Sequence, residues 1–286
     1  MNTVVIGAQG QLGQDLMRVL GESATGVTHQ DLDVTDGVSV QQTLDRLAPD
    51  CVINTAAFHR VDDCEANPAL AMAVNAMGAF NVARASAARG ARHVFLSTDY
   101  VYGGEPRERG RPFGEADAPR PINVYGISKA AGEQLVLQAD PRALVVRSAG
   151  LYGTSTSRKG WTFPELMLHL AQTQKVVRVV DDQVLSPTFT ADLAQVIVAL
   201  ARDGASGLTH VANAGECSWY ELAKATYELT GTQVDLQPQS TAETRRRAAR
   251  PPYSALRCDR LPAPLRSWRD ALADYLQQKG RALAST

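Results

Sequence analysis

The sequence predicts an α/β fold in which one parallel sheet carries helices on both faces. Short apolar runs of the kind that form buried parallel strands alternate with helical patterns through the first half of the chain. The first run enters a glycine-rich turn, and later runs end in small or hydroxyl-bearing residues, at the edge where open parallel sheets bind ligands. Together these observations predict a Rossmann-type doubly wound parallel sheet with a smaller, interleaved α/β substrate lobe.

Composition limits the classes of function that the chain can serve. Of its 286 residues, 44% are hydrophobic and 21% are charged, as in ordinary globular proteins. A net charge of −1 gives no field that would attract nucleic acid, and no apolar run reaches the ~20 residues of a membrane span. The 4 cysteines have no close pairs, the 5 histidines have no metal-ligand spacing, and the first residues form no leader pattern. We therefore expect a cytoplasmic protein with reduced thiols and with no metal, nucleic-acid or membrane partner.

The first predicted strand, Thr3–Ile6, leads into a Gly-x-x-Gly-x-x-Gly turn and a helix that continues to about Leu20. Glycines at these positions permit a tight turn, approach of the backbone to a pyrophosphate, and close packing of the helix on the strand. The N-terminus of the helix adds free N–H groups and the positive end of the helix dipole. The turn therefore predicts a dinucleotide site that includes Gly7, Gly10, Gln11, Leu12 and Gly13.

The residues that follow the second predicted strand, 26–28, bear on the choice of cofactor. A site selective for NAD usually places Asp or Glu at this strand end to bind the ribose 2′-hydroxyl. Thr28 and His29 stand there instead, which favours NADPH, and NADH stays open because Asp31 could bind that hydroxyl. Asp33 is a candidate acceptor for the adenine amino group. We predict cofactor contacts at His29, Asp33 and Val34.

Two further strands end in residues suited to a ligand site. The run 51–54 continues into Thr55-Ala56-Ala57, whose small side chains leave room for a cofactor across the strand ends, so Ala56 and Ala57 are predicted cofactor contacts. The run 93–96 continues into Ser97-Thr98-Asp99-Tyr100. That segment brings hydroxyl and carboxyl groups to the same edge of the sheet.

Tyr125 and Lys129 lie four residues apart in a predicted helix and therefore share one of its faces. An ammonium group beside a phenol lowers the tyrosine pKa, and such a tyrosine can donate a proton to a carbonyl oxygen as a hydride reaches the carbon. Tyr220 and Lys224 have the same spacing, but no comparable strand end precedes them. We therefore interpret Tyr125 as catalytic and Tyr220 as a surface or packing residue.

The pattern of alternating strands and helices loosens after a strand at 143–147 that ends in Ser148. Residues 1–150 are predicted to form an NADP-binding Rossmann domain, to which 188–203 returns. Residues 151–286, with shorter elements, are predicted to form a smaller substrate-binding lobe.

Three motifs together resemble the extended short-chain dehydrogenase/reductases: the glycine turn, Ser97-Thr98-Asp99-Tyr100-Val101-Tyr102-Gly103, and Tyr125-Gly126-x-Ser128-Lys129. Within that superfamily the chain looks most like the dTDP-4-dehydrorhamnose reductase family. Further matches are Ala56-Ala57, Asp182-Gln183 with Ser186-Pro187-Thr188, Trp219-Tyr220, and Arg250-Pro251 with Ser254. The resemblance therefore extends over almost the whole chain.

The resemblance implies a catalytic triad of Thr98, Tyr125 and Lys129. Tyr125 would donate the proton, Thr98 would hydrogen-bond the substrate carbonyl oxygen, and Lys129 would bind the nicotinamide ribose and tune the tyrosine. The implied reaction is the NAD(P)H-dependent reduction of the C4 ketone of a nucleotide-linked 6-deoxy-4-ketohexose, first of all dTDP-4-dehydro-L-rhamnose to dTDP-L-rhamnose. Expected contacts with this nucleotide sugar are Thr98, Asp99, Tyr100, Arg147 and Ser148.

Two positions depart from the family pattern. Gly150 stands where the family commonly has Trp, which predicts a wider sugar pocket, and Phe58-His59 stands where it commonly has His or Tyr followed by Thr. Another nucleotide-sugar 4-ketoreductase or an epimerase is therefore an alternative. A non-catalytic NADP-binding regulatory subunit, similar to the beta subunit of methionine adenosyltransferase, is a third, and homodimer formation stays open.

Overall fold

The computed structural model describes residues 1–104, 110–155 and 160–284. Its main sheet has six strands in the order β10-β5-β4-β3-β1-β2, and every neighbouring pair is parallel. The strands are β1 (Thr3–Ile6), β2 (Ala24–Val27), β3 (Cys51–Asn54), β4 (Arg92–Thr98), β5 (Leu144–Ser148) and β10 (Gly207–His210). The prediction of a doubly wound parallel sheet is thus confirmed. The strand order reverses between β1 and β3, and such a switch point is where open α/β sheets bind ligands.

Helices cover both faces of this sheet because successive strand residues point to opposite sides. The helices are α1 (Gln11–Leu20), α2 (Gly37–Leu47), α5 (Ala79–Ala88), α6 (Val124–Ala139) and α8 (Thr190–Asp203). On β1, Val5 packs into the core formed with α1 and α8, whereas Val4 and Ile6 pack against α2 and α5. The strands are consequently buried on both faces, which explains their continuous apolar runs.

The helical segment between β3 and β4 contains one wide turn. After α3 (Val61–Ala66) come α4 (Pro68–Met72), a π-helical turn at Ala73–Gly78, and then α5. The backbone oxygen of Asn75 lies so close to Gly132 of α6 that a Cβ there would clash with it. The Asn75 side chain also contacts Ser128 Oγ, at 2.9 Å, and the backbone of Phe58. Turns of this kind are frequent at functional sites, and this one packs against the helix that carries Tyr125.

The smaller lobe is built from short strand pairs and from helices. Its strands pair as β6 (Leu151–Tyr152) with β9 (Thr188–Phe189), β8 (Val184–Leu185) with β11 (Cys217–Ser218), and β7 (Val176–Val180) with β12 (Asp235–Gln239). Its helices are α7 (Phe163–Thr173), α9 (Trp219–Thr230) and α10 (Trp268–Gln278), which enclose a core that includes Tyr152, Leu222 and Tyr275.

Two segments from the second half of the chain are part of the Rossmann domain: one strand of the main sheet and one helix packed on it. Residues 151–286, apart from 188–203, were predicted to lie in the smaller lobe, but β10 pairs in parallel with β5 and forms the sheet edge. Helix α8 packs against α1 in the core on one face of the sheet. No helix in the described part of the chain combines the length and the apolar character needed to cross a membrane.

Candidate functional site

The glycine turn lies where the ends of β1, β2 and β3 meet. Gly7 has a φ of +86°, and a Cβ there would lie 2.5 Å from Thr55 Oγ1. A Cβ on Gly13 would collide with the carbonyl oxygen of Gly7, so the helix can start this close to the strand only with glycine at both positions. Gly10, the residue before α1, provides no side-chain cap. The first N–H groups of α1, from Gln11 onward, are therefore donors that an anion can use.

The residues after β2 form tight turns. Asp31 accepts hydrogen bonds from the Thr28 backbone N–H and hydroxyl, at 2.9 and 2.7 Å, and these bonds lower the pKa of its carboxyl. Asp33 binds the backbone and hydroxyl of Thr35 in the same way. His29 is exposed within the first of these turns, and Val34 is buried. One oxygen of Asp31 is thus engaged by the turn, and the side chain of His29, two residues after the end of β2, is exposed.

Ala56 and Ala57 continue β3 beside the glycine turn and are partly buried. The backbone N–H of Ala56 donates to Asn54 Oδ1 at 3.0 Å, and its nitrogen would lie 3.1 Å from a Cβ on Gly7. The predicted cofactor contacts on β1 and β3 therefore form one continuous surface of small residues.

Helix α6 places Tyr125 and Lys129 at the carboxyl end of β4. Asn123 caps the helix by accepting the Gly126 N–H at 2.8 Å. The Tyr125 ring meets the Tyr100 ring edge to face, with centroids 5.8 Å apart, and its phenol hydrogen-bonds with the Thr98 side chain. Thr98 and Tyr125, far apart in the sequence, thus bring two hydroxyl groups together.

The ionisation of Tyr125 differs from the prediction. Burial raises the pKa of its phenol above the ordinary value, and the hydrogen bond with Thr98 only partly opposes this effect. Lys129 does not lower it, because its Nζ donates to the Leu96 carbonyl oxygen at 2.6 Å and lies 3.9 Å from the Phe95 ring centroid. Burial lowers the pKa of Lys129 to about 7. In this arrangement Tyr125 is a protonated phenol, as a proton donor must be.

Asp99 orients the Thr98 hydroxyl through a hydrogen bond. Its carboxylate accepts the Thr98 hydroxyl at 3.0 Å and the Ser254 hydroxyl at 2.6 Å, and burial raises its pKa to about 6. The Tyr100 N–H donates to Thr98 Oγ1 at 3.2 Å. Both carboxylate oxygens of Asp99 are therefore engaged within the protein, while the Tyr100 ring lies partly exposed beside Tyr125.

A small cleft lies next to Asp99 and Tyr100, and residues from both parts of the molecule line it. Asp99 and Tyr100 line one side, and the smaller lobe and the segment before Ser254 line the other with Gln183, Val184, Leu185, Trp219, Pro251 and Ser254. The sequence motifs indicated Gln183, Trp219, Pro251 and Ser254 only as matches to a family, without a place in the site. A larger hollow of about 350 Å³ lies at the opposite end of the strands, around Arg89 and Arg142, and contains none of the predicted site residues.

Arg147 does not reach this cleft, and its prediction as a substrate contact is corrected. Its guanidinium is buried and makes two bonds to Glu133, at 2.8 and 2.5 Å, and one to the Tyr102 hydroxyl at 2.5 Å. Arg147 shares the strand face of Val145, and α6 covers that face. Ser148 differs: it pairs in register with Thr98, and its buried hydroxyl has no hydrogen-bond partner in the described structure. A buried hydroxyl without a partner is available to hydrogen-bond a ligand group.

Gly150 does not open the pocket in the predicted way. Its φ of +53° is left-handed, and a Cβ there would lie 2.5 Å from Leu185 Cδ1 and 3.2 Å from the Pro187 Cα. The space beside Gly150 is thus filled by Leu185, which also lines the cleft. Phe58-His59 is the second position that departs from the family pattern. The Asn75 side chain hydrogen-bonds the backbone of Phe58, and His59 is exposed.

The second Tyr-x-x-x-Lys pair lies on α9 in the smaller lobe. Tyr220 packs against the core of that lobe, and Lys224 lies 4.0 Å from Glu228. Neither residue lines the cleft beside Tyr125.

A glycine turn at the switch point of a parallel sheet, with a tyrosine and a lysine facing a threonine across the strand ends, defines the short-chain dehydrogenase/reductase class of Rossmann-type proteins. Within this class, the family described as "RmlD substrate binding domain" matches residues 1–281. The chain belongs to this family, which confirms the resemblance seen in its motifs.

Named relatives are similar over nearly their whole length. The chain is 42% identical to "dTDP-4-keto-6-deoxy-D-glucose reductase" of Streptomyces niveus, covering 94% of both chains. It is 42% identical to a "dTDP-4-dehydrorhamnose reductase" of Mycobacterium tuberculosis, covering 96% of this chain and 91% of the relative. A dTDP-4-dehydrorhamnose reductase of Bacillus anthracis, solved in complex with NADP, superimposes with a TM-score of 0.90 at 36% identity, over 96% of this chain and 98% of that one.

Proposed function

We propose that this protein is an NADPH-dependent reductase of the C4 ketone of a dTDP-linked 6-deoxy-4-ketohexose, first of all dTDP-4-dehydro-L-rhamnose. The observation that carries the proposal is the meeting of the Thr98 hydroxyl and the protonated Tyr125 phenol at the carboxyl edge of the sheet. Relatives with 42% identity are named for reductions of this kind. The product would be dTDP-L-rhamnose, which places the protein in dTDP-rhamnose biosynthesis.

The residues at the switch point suit a dinucleotide. The uncapped start of α1 offers N–H groups to a pyrophosphate, and Gly7 and Gly13 leave no side chain in its way. The unpartnered hydroxyl of Ser148 lies near Thr98, at the position where a nicotinamide or sugar group would supply its missing bond. Bound here, NADPH would supply the hydride. We assign the cofactor to Gly7, Gly10, Gln11, Leu12, Gly13, His29, Asp33, Val34, Ala56, Ala57, Tyr125 and Lys129.

The chain's own part in the reaction is to hold the ketone and deliver a proton. Tyr125 would donate its phenolic proton to the ketone oxygen as negative charge develops there, because that oxygen then becomes the stronger base. The Thr98 hydroxyl donates to Asp99 and accepts the Tyr100 N–H in this structure, and it would turn its proton from Asp99 to the same oxygen. Donors aimed at developing charge are often the largest single contribution to catalysis. The ammonium of Lys129 would add positive charge near the nicotinamide ribose.

One part of the chain would bind the cofactor, and the other would bind the nucleotide sugar. We assign 1–150, together with 188–203, to the NADP-binding Rossmann domain, and 151–286 to the substrate-binding lobe, with β10 as an addition to the sheet. A cytoplasmic location fits the four cysteines, which are all unpaired. A homodimer remains an open part of the proposal.

A second candidate substrate is dTDP-4-keto-6-deoxy-D-glucose. The relative from Streptomyces niveus carries this sugar in its name, and Gly150 replaces the Trp that is common in the rhamnose-forming family. The two sugars differ in stereochemistry at ring carbons next to the reacting one, so a pocket wall formed by Leu185 is well placed to discriminate between them.

Following NADPH oxidation with each of the two ketosugars tests the proposal. Turnover of dTDP-4-dehydro-L-rhamnose supports the first choice, and a clear preference for the glucose-derived ketone supports the second. Exchange at C4 without net oxidation of NADPH would indicate an epimerase. Protein that binds NADPH but turns over neither sugar would indicate a regulatory subunit.

A further inference from the structure

Glu133 is a buried carboxylate one helical turn beyond Lys129 on α6. Its side chain is 2% exposed, and the side chain of its ion-pair partner Arg147 is also 2% exposed. Glu133 Oε1 accepts the Ser97 hydroxyl at 2.5 Å and Arg147 Nε at 2.8 Å, while Oε2 accepts Arg147 Nη2 at 2.5 Å. Both carboxylate oxygens are therefore used by residues on the strands below the helix.

The two residues that Glu133 holds lie directly before site residues. Ser97 and Arg147 face each other in the ladder between β4 and β5, and the next register pair is Thr98 with Ser148. One carboxylate thus joins three elements: the end of β4 with Thr98, the end of β5 with Ser148, and the helix that carries the Tyr–Lys pair. A displacement of α6 relative to either strand would break these bonds.

Glu133 is also the anion that acts on Lys129. Burial destabilises the ammonium, and the Glu133 carboxylate opposes this effect. Among the elements around Lys129, Phe95–Thr98 of β4 and the π-helical turn carry no charged side chain. Asp99 follows β4 and is bonded to Thr98 and Ser254. Glu65 of α3 lies at the start of α6, and Arg147 is paired with Glu133. A charge buried in this way needs a compensating partner.

We propose that Glu133 is a positioning residue of the reductase, which aligns Thr98 and Ser148 with the Tyr125 helix and provides the buried anion one helical turn from Lys129. The proposal rests on the function proposed above. It goes beyond the triad because Glu133 touches none of the reacting groups and acts through Ser97, Arg147 and Lys129.

The variant Glu133→Gln tests the charge while keeping the size of the side chain. Removing the carboxylate lowers the pKa of Lys129 below about 7, so the ammonium is lost at a lower pH. The alkaline limb of the kcat profile is therefore expected to move to lower pH, with kcat at neutral pH reduced by about 10²-fold. Because Glu133 does not contact the substrate, KM for the sugar should change much less than kcat.

Two further variants make the result specific. Glu133→Asp restores the charge and should return the alkaline limb toward that of the wild type, which a purely structural role would not require. Glu165→Gln removes a carboxylate that also pairs with a lysine, Lys279 at 2.6 Å, but in the smaller lobe, and it should leave the pH profile unchanged. Thermal unfolding and NADPH binding of each variant identify any that fail to fold.

If Arg147, left without its partner, unfolds Glu133→Gln, then the double variant Glu133→Gln/Arg147→Met removes both charges and carries the same expected shift. An unchanged pH profile in a folded, active variant would overturn the inference. Absence of turnover in the wild type would instead overturn the proposed function, so the two failures are distinguishable.

Discussion

At the scale of single residues, the site depends on one phenolic proton. Tyr125 carries it, the Thr98 side chain hydrogen-bonds the phenol, and burial keeps the proton on the phenol. Asp99 in turn orients Thr98 from the other side. This chain of contacts suits an acid that must remain protonated until charge develops on the substrate oxygen.

Replacing Tyr125 by Phe should therefore lower kcat by roughly 10²–10⁴-fold, the usual range for a lost general acid. NADPH binding, measured by fluorescence titration, should change little because only one hydroxyl is removed. Tyr220→Phe is the matched control, since Tyr220 has the same spacing to a lysine but packs in the smaller lobe. Equal losses of kcat in both variants would contradict the assignment of Tyr125.

Gly150 allows a second test at this scale. Gly150→Ala should lower the free energy of unfolding by about 1–3 kcal/mol through overpacking against Leu185 and Pro187, in addition to about 1 kcal/mol of backbone strain. Gly90→Ala is the control because Gly90 also has a left-handed φ, of +71°, but has open space around the position of a Cβ. Urea unfolding of both variants measures the difference, and equal losses would show that strain alone is responsible.

At the scale of secondary-structure elements, the sequence predicted where the strands end, but it did not predict which buried charged side chains pair with each other. Short apolar runs and the glycine turn correctly indicated β1 to β5 and the ligand edge of the sheet. Arg147 was misplaced because a strand buried on both faces shows no alternation that would reveal which way a polar residue points. Glu133 was overlooked because one glutamate in a helix is usually solvated. The membership of β10 in the sheet depends on a long-range pairing that a four-residue segment does not encode.

The turn that follows β2 predicts which cofactor the protein prefers. Because His29 is exposed there and Asp31 is turned toward Thr28, the wild type should have a higher kcat/KM with NADPH than with NADH. His29→Asp should move this preference toward NADH, since a carboxylate there attracts a ribose 2′-hydroxyl and repels a 2′-phosphate. His29→Asn, which adds no charge, is the control. A wild type that clearly prefers NADH would show that Asp31 or another group binds the hydroxyl.

At the scale of the whole molecule, the cleft exists only because the smaller lobe folds back over the edge of the sheet. Asp99 and Tyr100 come from the end of β4, whereas Gln183 and Trp219 come from the lobe. The bond from Ser254 to Asp99, at 2.6 Å, ties the late part of the chain to the catalytic edge. This arrangement separates the two ligands: the glycine turn lies on the sheet alone, and the proposed sugar site needs both parts.

A substitution of Trp219 tests whether the smaller lobe contacts the sugar but not the cofactor. It is the first residue of α9, lines the cleft, and packs against Phe163 with ring centroids 4.6 Å apart. Trp219→Ala should raise KM for the nucleotide sugar by about tenfold, equivalent to roughly 1.4 kcal/mol, and leave the Kd of NADPH unchanged. Trp268→Ala is the matched control, because Trp268 packs against the same lobe core but does not line the cleft. If Trp219→Ala weakened NADPH binding as much as sugar binding, or if both variants raised KM equally, the lobe would act through stability and not through contact with the substrate.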